Sequence, residues 1–206
     1  MGKARLELLA PIYDRLLAPL ERRGFRRWRE ALWRAAPQAG LGLEIGAGTG
    51  ANFSYYPEGA RVVAADLSLR MLAAARTKQD RGRTGMASAD VQALPFGDQA
   101  FDWAVATLVF CEVPNPAAGL AEVRRVLRPG GRLLLLEHVR PSGWLGIAAD
   151  VATALSAPLV GEHFNRDTER TVRQAGFTIE HRASFWRDGV ILLVSHSPDQ
   201  DAGTHA

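Results

Sequence analysis

A chain of 206 residues with 47% hydrophobic and 23% charged side chains has the makings of a single globular domain with a substantial core. Its one cysteine, Cys111, excludes an intramolecular disulfide and a multi-cysteine zinc site, and fits a reducing, cytoplasmic setting. The formal net charge of +3 is unevenly placed, because residues 1–37 hold nine Lys/Arg against four Asp/Glu and the remainder is net acidic. Such a segment suits peripheral contact with an anionic membrane, although a solvated helix face carries the same signature. The arginines follow no nucleic-acid-binding pattern, which argues against that class of partner.

Met1-Gly2-Lys3-Ala4-Arg5 leads directly into a charged helical pattern, so no leader is expected. Leu6, Leu9, Ile12, Tyr13, Leu16, Leu17 and Leu20 recur at helical steps, and Pro11 and Pro19 divide them into two short helices. A second pattern, Phe25, Trp28 and Leu32, runs to Ala36, so residues 1–37 read as an N-terminal helical cap. Strand and helix patterns then alternate, the signature of a parallel α/β sheet. Strands are predicted at Leu41–Ile45, Arg61–Ala65 (followed by Asp66), Met86–Ala89 (followed by Asp90-Val91) and Phe101–Phe110. Ser68 is placed to cap a helix that turns Met71, Leu72 and Ala75 inward. A helix over Ala117–Leu127 is stopped by Arg128-Pro129-Gly130-Gly131. The strand after it, Arg132–Val139, carries four consecutive leucines and so requires burial on both faces.

Residues 140–165 are apolar but poorly periodic and read as an insertion that covers the acceptor, with Trp144 and Phe164 as apolar wall residues. Arg166–Ala175 is helical in pattern and closes at Gly176. Phe177–Trp186 and Val190–Ser195 read as a hairpin around Arg187-Asp188-Gly189, and residues 197–206 as a disordered tail.

The chemistry centres on Leu43-Glu44-Ile45-Gly46-Ala47-Gly48-Thr49-Gly50-Ala51-Asn52, a strand that runs into alternate glycines. Glycines here let the chain turn sharply and let bare backbone approach a ligand. With Asp66 about twenty residues downstream, the spacing fits either S-adenosylmethionine or NAD. Glu44 beside the loop suits a cationic amino-acid moiety better than a pyrophosphate, and Asp90-Val91 offers an acid and an apolar wall to adenine. The closing hairpin also leaves no second half-domain of the kind a dehydrogenase needs.

Residues 41–139 resemble a class I S-adenosylmethionine-dependent methyltransferase of the small-molecule type. The resemblance rests on Leu43–Gly50, Asp66-Leu67-Ser68 with Met71-Leu72, Leu94-Pro95-Phe96 before Phe101-Asp102, and Val126–Gly131. It implies a Rossmann-like α/β three-layer sandwich: a seven-stranded, mostly parallel sheet with an antiparallel last strand and extra N-terminal helices. It also implies that Glu44, Gly46, Ala47, Gly48, Gly50 and Asn52 line the methionine end of the cofactor. Asp66, with Leu67 and Met71 beside it, takes the ribose, Asp90 and Val91 the adenine, and Thr107 and Leu108 face the cofactor. Tyr13 is a candidate lid. No metal is implied.

Finer resemblances point to the acceptor. Gly50–Phe53 with Tyr56-Pro57, Thr107–Cys111 and Leu136–Val139 are similar to the alkyl-thiol S-methyltransferases, and Asn165–Thr168 to their bacterial relatives. Phosphatidylethanolamine N-methyltransferases and quinone-ring C-methyltransferases share the core and a Tyr13-Asp14 entry. A small apolar thiol is the leading acceptor, with a lipid amine or a quinone precursor as alternatives. His138, after the fifth strand, and His163, in the insertion, are the candidate general bases. Rival readings are a non-catalytic cofactor-binding module and an NAD-dependent oxidoreductase.

Overall fold

The computed structural model describes residues 24–78, 82–139 and 166–199, together with positions 18 and 146. Helix α1 (Arg26–Ala35) leads into β1 (Ala39–Ile45), and then β2 (Gly59–Asp66), α2 (Leu69–Ala75) and β3 (Thr84–Ser88) follow. Next come β4 (Phe101–Thr107), α3 (Pro116–Val126), β5 (Leu127–His138), α4 (Thr168–Gln174), β6 (Thr178–Phe185) and β7 (Val190–His196). The sheet has seven strands in the order β3-β2-β1-β4-β5-β7-β6. β1 to β5 pair in parallel, and β7 is antiparallel to both of its neighbours. Among the described residues no helix is long and apolar enough to cross a membrane.

The four leucines of β5 show why the middle layer is continuous. Leu133 and Leu135 enter a cluster with Leu120 and Val123 of α3 and Val172 of α4. Leu134 and Leu136 point to the opposite face, against Leu32 and Trp33 of α1. Alternation along a strand sends neighbours to opposite faces, so an unbroken apolar run is what a sheet covered on both sides demands.

Several boundaries differ from the sequence pattern, each for a local reason. β1 begins at Ala39 because the Trp103 indole donates to the Ala39 carbonyl at 3.0 Å and lies flat over Gly42, where a Cβ would overlap the ring. β4 stops at Thr107 rather than Phe110 because Leu108 turns into the left-handed region at φ 57°. Arg128–Gly131, read as a stop, is absorbed into β5 as an irregularity, the register against β4 shifting between Phe101 and Trp103. The helix before it starts one residue early, at Pro116, where a proline costs no hydrogen bond and Asn115 caps by accepting from Ala118. The hairpin turns through Trp186, Arg187 and Asp188, all at positive φ.

Candidate active site

A cleft of about 330 Å³ opens at the carboxyl edge of the parallel strands, among the loops after β1, β2, β3 and β4. That is the edge where open α/β sheets place ligands, and the volume is of small-molecule size. The first loop is shaped by glycine. Gly46 stands at φ 67° and packs against Val109, leaving no room for a side chain, while Gly48 at φ 55° has only open cleft where a Cβ would be. The loop is tied down by the Ala47 amide donating to the Ala65 carbonyl at 3.0 Å.

Asp66 ends β2 and is only 8% exposed. One carboxylate oxygen accepts from the Gly48 amide and the other from the Ser68 amide, both at 2.8 Å. A carboxylate offers about four lone-pair sites, so one held at this edge is suited to vicinal hydroxyls. Ser68 caps α2 by accepting from the Met71 amide, and Met71 and Leu67 join the wall. Asp90 and Val91 close the far end of the cleft. Gln92 fastens that end: it donates to the Asp90 carboxylate and accepts from the Asn115 amide at 3.0 Å.

Glu44 and Gly50 stand behind the wall rather than on it. The Glu44 side chain is fully buried and accepts from Asn52 Nδ2 at 2.5 Å and from the Tyr56 hydroxyl. Burial raises the Glu44 pKa, against the pull of Tyr56, Asn52 and Arg29. Burial and the adjacent Glu44 carboxylate push the Tyr56 phenol well above its ordinary value. Asn52 passes the network forward to the cleft, accepting from Arg29 Nη1 at 2.7 Å and donating to Thr107 Oγ1 at 3.2 Å. Asn52, Thr107 and Arg29 therefore present the polar surface at this end, and Ala47 and Leu108 complete it.

No sequence pattern sets Arg29 apart from the other basic residues of 1–37. Its position, four residues after Phe25 and three before Leu32, puts it on the buried stripe of α1, and it is only 7% exposed. Glu137 also escaped notice; its buried carboxylate underlies the loop after β4.

His138 ends β5 on the α1 side of the sheet, its ring 6.3 Å from that of Phe25, and it is not part of the cleft wall. Burial lowers its pKa, which keeps the imidazole neutral at neutral pH. Phe25 contacts Trp28, which stacks on Phe185 at 5.8 Å, so an aromatic row extends from His138 along the same edge. Tyr13, Trp144, His163 and Phe164 lie outside the described residues.

Residues 43–135 match a family model described as a methyltransferase domain. The thiol S-methyltransferase TMT1B of Mus musculus is 34% identical over 147 residues, 66% of this chain and 59% of that protein. A demethylmenaquinone methyltransferase of Clavibacter sepedonicus is 37% identical over 142 residues, 67% of this chain and 58% of that protein. The chain's matches span between 42% and 60% of the length of these and similar curated relatives. A solved structure from Thermotoga maritima, a SAM-dependent methyltransferase described as a possible histamine N-methyltransferase, shares the fold with a TM-score of 0.75. Its identity is 21%, over 93% of this chain and 98% of that one.

Proposed function

On the premise that this chain carries a class I S-adenosylmethionine methyltransferase core related to the thiol S-methyltransferases and the quinone C-methyltransferases, we propose that it moves a methyl group to a small apolar acceptor, a thiol sulfur first. The observation that carries the reading is the pair of carboxylates Asp66 and Asp90 facing one cleft from the ends of adjacent strands, with the open Gly48 in the loop after β1. That spacing suits a ribose and an adenine side by side. In this reading Asp66 takes the ribose hydroxyls, and Asp90 and Val91 hold the base. Arg29 meets the carboxylate of the amino-acid end, while Thr107 and Asn52 offer acceptor oxygens to its ammonium.

The cofactor supplies a methyl group on a sulfonium, an already activated donor. The protein's share is then alignment, which alone can be worth several kcal/mol, ~7–11 for ideal geometry. A thiol, with an ordinary pKa of about 8.5, yields its proton without a strong base. His138 is the proposed acceptor of that proton: it stands at the carboxyl end of β5, the edge on which the cleft opens, and burial favours the neutral imidazole that can accept. His163 is the second candidate; like the rest of the acceptor cover expected from the sequence over residues 140–165, it lies outside the described residues. Peripheral contact with an anionic membrane draws support from the exposed arginines Arg26, Arg27 and Arg34 of α1.

Quinone-ring C-methylation is the second reading, favoured by the Clavibacter relative. The relatives above lend the phospholipid-amine alternative no support. A radiolabelled methyl-transfer screen over alkyl thiols, quinone precursors and phospholipid amines decides among them. Thioether formation is the expected product. Label in a quinone precursor alone would replace the thiol, and donor that binds without being consumed would leave a non-catalytic module.

A further inference from the structure

The segment that follows β4 makes one side of the cleft through Leu108, Val109 and Val113, yet it belongs to no helix or strand. It enters through Leu108 at φ 57°, a left-handed conformation that is strained for a leucine. Backbone held in such a state persists only when its surroundings over-determine it. Here two charged side chains do so. From β5, the fully buried Glu137 carboxylate accepts from the amides of Val109 and Phe110 at 3.0 Å and of Cys111 at 3.3 Å. From two residues before α4, Arg166 Nη1 donates to the carbonyls of Phe110 and Val113, both at 2.7 Å. A carboxylate thus stands where a neighbouring strand would otherwise pair, and a guanidinium closes the other side.

We propose that Glu137 and Arg166 form a two-sided clamp that holds Leu108–Val113 in the shape the cofactor requires, both acting as positioning residues. The inference rests on the cleft being the adenosyl-donor site. Neither side chain belongs to the cleft wall, so neither is placed to touch the ligand itself. Their reach is through the backbone: charge-assisted bonds to amides and carbonyls are about twice as strong as neutral ones, and a segment bonded on both sides cannot drift. Burial pushes the Glu137 carboxyl up to about 7, against the pull of the three amides and the Cys111 thiol. The charged or titratable groups facing it are Cys111, on the clamped segment, and Arg166, whose own pKa burial lowers. An ionised Glu137 accepts with both oxygens, whereas a protonated one turns a donor toward amide donors. The clamp therefore tightens as pH rises through 7.

Calorimetry with S-adenosylhomocysteine between pH 6 and 8.5 tests this on the intact chain and on Glu137→Gln, Arg166→Met and Arg166→Lys. In the wild type the Kd is expected to tighten at least about threefold from pH 6 to pH 8. Glu137→Gln should lose that pH dependence, a change that a merely structural loss of stability would not produce. Arg166→Met should weaken binding about tenfold, with partial rescue by Arg166→Lys. Folded variants that bind as the wild type does, with the same pH profile, would overturn the clamp. If Glu137→Gln does not fold, the Arg166 pair decides, and equal Kd values there overturn it as well. A wild type that fails to bind S-adenosylhomocysteine overturns the cofactor reading, and the clamp with it, before any substitution is made.

Discussion

Asp66 is the residue on which the cofactor reading is most exposed. Both of its oxygens already accept from backbone amides, so its orientation is fixed before any ligand arrives. Hydrogen bonds to a charged group contribute about 1.5–3 kcal/mol, so Asp66→Ala should weaken S-adenosylhomocysteine binding by roughly 10- to 100-fold in calorimetry. Asp66→Asn should fall between the two, and an unchanged Kd would remove the ribose assignment. Arg29→Met tests the other end: it strips a buried cation from the cleft and leaves Asn52 Oδ1 without that donor. It should raise the Kd about tenfold while changing the affinity for adenosine alone by much less. Equal losses for the two ligands would place Arg29 in loop support instead. The contrast between these residues shows what a sequence can carry. Asp66 and Asp90 announce themselves because they terminate apolar runs, a position that chain order alone defines. Arg29 matters because α1 packs across the Gly loop and meets Asn52, a contact between residues 23 apart that no local pattern encodes.

At the scale of elements, boundaries were hidden wherever tertiary partners replaced regular ladders. Arg128-Pro129-Gly130-Gly131 reads as a break, yet β5 runs through it because Leu127 and Arg132, on either side of the bulge, pair with Phe101 and Trp103 of β4. Phe101–Phe110 reads as one long strand, yet after Thr107 the chain leaves the ladder, and the amides of Val109, Phe110 and Cys111 meet Glu137, a partner set among leucines that acts mainly on backbone. Backbone recognition leaves no residue signature, which is why the clamp was illegible while the strand carrying it was plain. The Ser68 cap was easier to read, since it acts on the amide three residues ahead; Asn115 does the same for α3 and was not marked by the pattern. Asn115→Ala should cost about 1 kcal/mol of stability in urea denaturation, the usual worth of an N-cap. Because the Asn115 amide also donates to Gln92, a bond the substitution preserves, cofactor affinity should stay near wild type.

For the whole molecule, buried carboxyls set the response to acid. Glu137 holds its proton up to about 7 in the folded chain against an ordinary 4.5, and Glu44 is shifted in the same direction. Between those pH values the folded state binds more protons than the unfolded one, so stability falls as pH rises through the window. The Glu137 contribution amounts to ~3 kcal/mol across it. His138, held low by burial, works with the opposite sign, so the informative quantity is the difference between proteins. Glu137→Gln should therefore flatten the decline in urea midpoint between pH 5 and pH 8, and an identical slope would show that another group governs it.

The path of β7 has a practical consequence. Running antiparallel to β5, it carries the chain from beside His138 back to Arg132, and Ser197 then donates to the Gly131 carbonyl. The described chain thus leaves the sheet on the side opposite the cleft. A tether joined beyond Asp199 has the full depth of the sheet between its anchor point and the ligand mouth, so the protein can be immobilised there for surface-based ligand capture. Binding constants on such a surface should equal those in free solution, whereas a probe attached at the Trp186 hairpin tip sits on the cleft side and should perturb them.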